Sequence, residues 1–159
     1  MKIGMIIYSH TGNTLSVAEK LRERLAEAGH AVTLERLETV RPATLATERD
    51  PLEAQPVIEP YDALVLGCPV RGGTPAPPIL TFLEQVESLE GKHVACLVTG
   101  FFPFDGWGRN QTIAHLKEIC ESKGATFQGA ESVGWFSLSR KRQISDAVDG
   151  LSQRFALFF

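Results

Sequence analysis

The chain has 159 residues, 43% hydrophobic and 22% charged, with 16 Lys and Arg against 19 Asp and Glu for a formal net charge of -3. A chain of this length buries roughly 70% of the surface its unfolded form exposes, so it needs no disulfide or structural metal, and one α/β domain over 1–159 suits it better than two. The near balance of charge gives no broad field for steering onto nucleic acid or an anionic membrane, which disfavours both as partners.

The first expected element is a strand over Lys2–Tyr8, where Ile3-Gly4-Met5-Ile6-Ile7 is almost continuously apolar. Continuous rather than alternating apolar character marks a strand covered on both faces, and the strands read over Ala63–Gly67 and His93–Val98 share it. A helix is expected over Thr14–Ala28. Leu15, Ala18, Leu21, Leu25 and Ala28 recur there at spacings of three and four, Glu19, Lys20, Glu23, Arg24 and Glu27 fill the other face, and Gly29 supplies the stop.

A second strand is read over Ala31–Leu37. Prolines at 42, 51, 56 and 60 then interrupt Glu38–Pro60, which reads as mostly loop or as a loop holding a short helix, Ala43–Glu48. After the strand Ala63–Gly67, prolines suited to a first turn open a helix over Pro77–Val86. The strand His93–Val98, a helix over Asn110–Lys123 closed by Gly124, a strand over Phe127–Trp135 and a last helix over Lys141–Phe155 complete the chain. Alternating strands and helices imply right-handed crossovers and a doubly wound α/β fold: a parallel sheet with helices on both faces, three layers in all. Ligands in such folds bind beyond the carboxyl ends of the strands, where the strand order reverses. The loops after the first, third and fourth strands are therefore the ones to inspect.

Directly after the first strand stands Ser9-His10-Thr11-Gly12-Asn13-Thr14. Three hydroxyls, a glycine that lets the backbone approach closely and a helix N-terminus make an anion cradle there. The helix end carries the equivalent of about +0.5 charge, and charge-assisted hydrogen bonds contribute about 1.5–3 kcal/mol each, so a phosphate can be held with no Lys or Arg in the loop. The plainer alternative is that Thr11 or Thr14 only caps the helix and Gly12 only turns the chain.

The third strand leads through Gly67-Cys68-Pro69 into Val70-Arg71-Gly72-Gly73-Thr74-Pro75, whose glycine pair permits positive φ and leaves room for a planar ring against the main chain. The fourth leads through Val98-Thr99-Gly100 into Phe101-Phe102-Pro103-Phe104-Asp105-Gly106-Trp107-Gly108. Four aromatics in eight residues exceed what a solvent-facing turn requires, so some must cover something. Phe101 and Phe104 are read as plugs of the sheet end, and Phe102 and Trp107 as contacts for a flat ring.

The segment Tyr8-Ser9-His10-Thr11-Gly12-Asn13-Thr14 resembles the phosphate-binding loop of the flavodoxins, and length, element order and the later loops extend the resemblance over essentially the whole chain in that family's short-chain form. The resemblance implies a five-stranded parallel sheet in order 2-1-3-4-5 and bound FMN. It implies that the hydroxyls of Ser9, Thr11 and Thr14, with backbone N–H groups from His10 through Gly12 and Asn13 to Thr14, hold the FMN phosphate. Pro69, Val70, Arg71, Gly72 and Gly73, together with Thr99, Gly100, Phe102, Trp107 and Gly108, would flank the isoalloxazine, with a peptide within Arg71–Gly73 turning its carbonyl toward the reduced N5–H.

The implied function is an FMN-binding redox protein, an electron-transfer flavoprotein serving redox partner proteins or small electron donors and acceptors. The alternatives are an FMN-dependent NAD(P)H or quinone-type oxidoreductase and a flavodoxin-fold interaction module without flavin. Two features depart from the electron-carrying flavodoxins. Those proteins are strongly acidic where this chain is only -3, and their common ring-stacking aromatic after the third strand is replaced here by Val70 and Arg71. Arg71 has three open roles: stabilising a reduced anionic flavin, attracting an anionic substrate, or standing solvated.

Other signals weigh less. Gly67-Cys68-Pro69-Val70-Arg71-Gly72-Gly73-Thr74 has Gly73 where a P-loop needs Lys, and Gly106-Trp107-Gly108 lacks the third glycine of a dinucleotide fingerprint. A receiver domain would need acids where Ser9-His10 stand, and Cys68 and Arg71 are too close for a phosphatase loop. Cys68, Cys96 and Cys120 show no C-x-x-C spacing, which suggests a reducing compartment, and Cys68 reads as a small buried hydrophobe rather than a redox thiol. The short apolar N-terminal run is unlike a signal peptide and no stretch has membrane-spanning length, so a cytoplasmic location is expected. Arg140-Lys141-Arg142 opens the last helix as a solvated face, a nucleotide-phosphate contact or a site for an acidic partner. The apolar Phe155-Ala156-Leu157-Phe158-Phe159 packs on the sheet or forms a dimer contact.

Overall fold

Within the apolar strands, side chains alternate between two opposite cores. In the computed structural model, which describes residues 1–41, 50–101 and 108–157, Met5 and Ile7 of β1 (Lys2–Ile7) face one way while Ile6 faces the other. Ala63 and Val65 of β3 (Ala63–Arg71) likewise part from Leu64 and Leu66, and Ala95 and Leu97 of β5 (His93–Gly100) from Val94, Cys96 and Val98.

One face is covered by α1 (Asn13–Glu27), through Val17, Ala18, Leu21 and Leu25, and by α4 (Arg140–Ala156), through Ile144, Val148, Leu151 and Phe155. The other is covered by α2 (Pro77–Gln85), through Ile79, Phe82 and Leu83, and by α3 (Arg109–Ser122), through Leu116 and Cys120. Burial on both faces is what a parallel sheet with crossover helices requires, and it accounts for the unbroken apolar runs.

The sheet runs β2 (Ala31–Arg36), β1, β3, β5, β6 (Thr126–Gly134), every neighbour parallel. A two-residue strand, β4 (Thr74–Pro75), pairs antiparallel with the end of β3 and lies off this path. The five long strands thus have the 2-1-3-4-5 order that the resemblance implied, and β4 is the addition. Gly72 and Gly73, at φ 59° and 78°, form the two-residue turn between Arg71 and Thr74, the geometry that matches the strand twist of a tight hairpin. β3 therefore runs four residues past the expected Gly67: Cys68 and Pro69 pair with Val98 and Thr99, and Val70 and Arg71 with Pro75 and Thr74.

The remaining boundaries fall within two residues of expectation, with β5 running on to Gly100. The expected short helix Ala43–Glu48 lies outside the described residues; on either side of it the chain makes one antiparallel bridge, Thr39 to Leu52. Phe155 is fully buried under the sheet while Leu157 is exposed, so the apolar tail divides between core and surface, and Phe158 and Phe159 lie outside the described residues. Among the described residues no helix is long and apolar enough to cross a membrane. Strand order reverses between β1 and β3, and the chain leaves their carboxyl ends beside the N-terminus of α1.

Candidate functional site

At that reversal lies a cavity of about 420 Å³. Its floor and one wall come from the first loop, through Ser9, His10, Thr11, Asn13 and Thr14; Pro69, Val70 and Arg71 of β3 form another wall, Thr99 and Gly100 close the end of β5, and Phe101, Trp135 and Phe136 complete the ring. The carboxyl ends of four strands, β1, β3, β5 and β6, therefore meet in one place.

The first loop is built around Ser9. Its hydroxyl, 4% exposed, accepts the backbone N–H groups of Gly12 at 3.1 Å and Leu15 at 3.2 Å, so it caps α1 from outside the helix. Gly12, at φ 92°, supplies the left-handed turn that starts the helix, and its carbonyl accepts the N–H of Ser16 at 2.9 Å. Arg36 of β2 donates to the Ser9 carbonyl at 3.0 Å and ties the loop to the sheet. The cradle thus differs from the expected one in one respect: the N–H of Gly12 is already taken, and Ser9 is first of all a helix cap. The backbone N–H groups of His10, Thr11, Asn13 and Thr14 find no acceptor among the described residues. Thr14, 1% exposed, shares a hydrogen bond of 2.7 Å with the hydroxyl of Thr99, 3% exposed. Thr11 and His10 stand exposed at the rim.

Arg71 makes no ion pair or side-chain hydrogen bond among the described residues, and its carbonyl accepts the Thr74 hydroxyl at 3.0 Å. Gly72 and Gly73 shape the hairpin without lining the cavity. Gly108 caps α3 and also stays outside the wall: a Cβ there would stand 2.9 Å from Val70 Cγ1 and 3.2 Å from Gly73 Cα, so the entry to α3 is packed onto the hairpin. Gly100 rests on the stem of the buried Arg109, whose Cγ and Cδ would lie 2.8 Å from an added Cβ.

Phe101 is not a plug of the sheet end. It is 63% exposed, and its ring meets Phe136 at a centroid distance of 4.4 Å and a tilt of 41°. Phe102, Phe104 and Trp107 lie outside the described residues. Sequence reasoning left Trp135 inside a strand and gave Phe136 no role. The signal for both was their place at the carboxyl end of the last strand, the same sheet edge as the first loop. Trp135 is further held by Arg140, whose guanidinium stands 5.0 Å from its ring centroid. Cys68 is fully buried beneath the cavity wall; burial pushes its thiol up to about 12, against the opposing effect of the Ala76 backbone N–H, so it is a core residue rather than a nucleophile. Among the described residues no three His, Cys, Asp or Glu are grouped to hold a metal ion.

Residues 1–133 match the family model of the NADPH-dependent FMN reductases. The chain belongs to this family. It is 24% identical over 138 residues to NAD(P)H dehydrogenase (quinone) 3 of Rhizobium meliloti, covering 82% of this chain and 57% of that protein, so it spans under two thirds of that relative's length. It is 26% identical over 134 residues to the flavodoxin of Megasphaera elsdenii, covering 82% of this chain and 85% of that one. In fold it matches the flavodoxin of Streptococcus pneumoniae TIGR4 with a TM-score of 0.73 at 15% identity, over the whole of both chains. The fold is therefore flavodoxin-like. The donor set fits a phosphomonoester, since backbone N–H groups and hydroxyls converge at a helix N-terminus, and the aromatic and proline-valine walls fit a flat ring beside it.

Proposed function

We propose that the cavity holds FMN non-covalently and that the chain carries electrons through it between a reduced donor and an acceptor. The observation behind this reading is the set of backbone N–H groups of His10, Thr11, Asn13 and Thr14, which find no acceptor among the described residues and open onto an aromatic-walled cavity. These N–H groups would hold the phosphate. The Ser9 oxygen already accepts two bonds, so its proton is left to donate outward, and donation from Thr99 to Thr14 frees the Thr14 proton for the same oxygens. Thr11 adds an exposed hydroxyl. Phe101, Trp135 and Phe136 would cover one side of the isoalloxazine and exclude water there, while Pro69, Val70 and Arg71 bound the other.

FMN, when bound, supplies the redox chemistry, accepting and returning electrons with their protons. The protein's part is to bind, orient and shield, and Arg71 places a positive charge in the wall that favours the more electron-rich state. Exposed Phe101 and Phe136 at the cavity mouth suit transfer to a partner that comes close without entering. A second reading, an NAD(P)H or quinone oxidoreductase using the same pocket, is supported by the family match and the quinone dehydrogenase among the relatives.

The test is in two steps. The chain is incubated with FMN and gel-filtered, and its visible spectrum is recorded; retained flavin absorbance is expected, and a colourless protein contradicts the reading. NADPH oxidation with a quinone acceptor is then followed in the steady state. The carrier reading expects no turnover above that of free FMN, and substantial turnover selects the oxidoreductase.

A further inference from the structure

A second groove, of about 640 Å³, adjoins the cavity and shares Trp135 and Phe136 with it. Arg140, Lys141 and Arg142 also line it, Arg140 against Trp135 itself. We infer that this groove is the docking face for an acidic redox protein, which would bring its own electron-transfer group to the mouth of the cavity. The inference rests on the redox reading of that cavity and names its partner.

Three observations converge on it. First, the stretch from Gly134 to Gln143 carries three cations and no carboxylate, in a chain whose net charge is -3. Carboxylates border the groove rather than line it: Asp146 stands 3.9 Å from Arg142, and Glu23 and Glu27 share a separate groove with Lys141. Second, the three cations occupy the first turn of α4, where the macrodipole favours anions and where no acidic residue is present. Arg142 pairs with Asp146, and Arg140 lies over Trp135 and donates to its carbonyl at 3.5 Å, so Lys141, with no ion pair among the described residues, is the charge left most open to an external anion. Third, Phe136 and Leu138, which line the groove, are 65% and 112% exposed, so large apolar side chains lie beside those cations. An apolar patch with a charged rim is the make-up of a protein interface rather than of a site for a small anion alone. Opposite charge on the partner would steer the encounter and set the register, and the exposed apolar groups would be buried on contact.

The test is a binding titration of the full chain, FMN-loaded and FMN-free, against two probes: a plant-type [2Fe–2S] ferredoxin, which is acidic, and cytochrome c, which is basic. The ferredoxin is expected to bind both forms, about tenfold more weakly as salt rises from roughly 50 to roughly 300 mM. The exposed double substitution Lys141→Glu and Arg142→Glu is expected to lose that binding and gain affinity for cytochrome c. Leu138→Ala is expected to weaken ferredoxin binding with its salt dependence unchanged. Ferredoxin binding that is absent, or unaffected by charge reversal, overturns the inference. So does loss on charge reversal of NADPH binding alone, which would make the groove a nucleotide site. Concentration-dependent dimerisation abolished by Leu138→Ala would make it a contact between copies and overturn it likewise. Flavin retention is read separately by absorbance, so failure of the docking face and failure of the redox reading are distinguishable.

Discussion

The hydroxyls of Thr14 and Thr99, 85 residues apart in sequence, share a buried hydrogen bond of 2.7 Å that ties the start of α1 to the end of β5. Either hydroxyl can donate in this bond, and donation by Thr99 would leave the Thr14 proton to point toward the cavity. Thr99→Val keeps the shape and removes the donor. It is expected to weaken FMN about five- to tenfold, the worth of ~1 kcal/mol, and to leave riboflavin affinity unchanged, as measured by flavin fluorescence titration. Equal weakening of both flavins would mean that Thr99 supports the ring side instead.

Ser9→Ala removes the acceptor for two backbone N–H groups at once. The FMN-free protein is expected to lose about 1–2 kcal/mol of stability in urea unfolding, the cost of a lost helix cap, and the loop to bind FMN more weakly. A normal unfolding midpoint would show that the cap is dispensable.

The aromatic wall predicts the opposite selectivity. Phe136→Ala removes a ring that meets Phe101 and lines the cavity, with no part in the first loop. FMN and riboflavin are expected to weaken together, by about tenfold for ~1.4 kcal/mol of lost stacking and burial. Selective loss of FMN would place the phosphate, not the ring, beside Phe136.

Arg71 has a consequence for potential. Arg71→Gln removes a cation that has no partner among the described residues. The reduction potential of the bound flavin is expected to fall by about 20 mV if the charge contributes ~1 kcal/mol to the two-electron couple. Spectroelectrochemical titration measures it, and an unchanged potential would mean that Arg71 is screened by solvent.

The cysteines predict an alkaline limit. Burial pushes Cys68 and Cys120 up to about 12 from an ordinary value near 9, and burial with its two thiol neighbours pushes Cys96 up as well. Folding keeps these protons where the unfolded chain loses them, so stability is full below pH 9 and falls as pH rises from there toward 12. The slope is about 1.4 kcal/mol per pH unit for each thiol. Between 9 and 10 the loss belongs to the thiols, because burial and the Glu35 hydrogen bond raise Tyr61 above its ordinary 10. Urea unfolding across that window checks the slope, and native protein near pH 8 is expected to leave a thiol reagent unconsumed until it unfolds. Rapid labelling of the folded protein would contradict the burial of all three.

The parts visible in the sequence were those that local physics writes into it. Double-sided burial of β1, β3 and β5 leaves unbroken apolar runs, and the amphipathic face of α1 ends at Gly29. The hydroxyl-glycine loop after β1 stood out because the fold order says where a ligand sits. What stayed hidden depends on convergence in space. β4 is two residues long and has no periodicity to detect, although Gly72-Gly73 marked its turn. Ser9 as a cap depends on the return of its hydroxyl to Gly12 and Leu15, and the contact of Phe101 depends on Phe136, which comes from a loop distant in sequence. Trp135 and Phe136 were one strand beyond the loops that attracted notice.

α1 and its loop are expected to grip the phosphate of a bound FMN. Parallel titration of the FMN-free protein with FMN and with riboflavin, which lacks only the phosphate, tests it most directly. FMN is predicted to bind at least about a hundredfold more tightly, the worth of ~2.7 kcal/mol from charge-assisted bonds to the loop. Equal affinity for the two flavins would contradict the account.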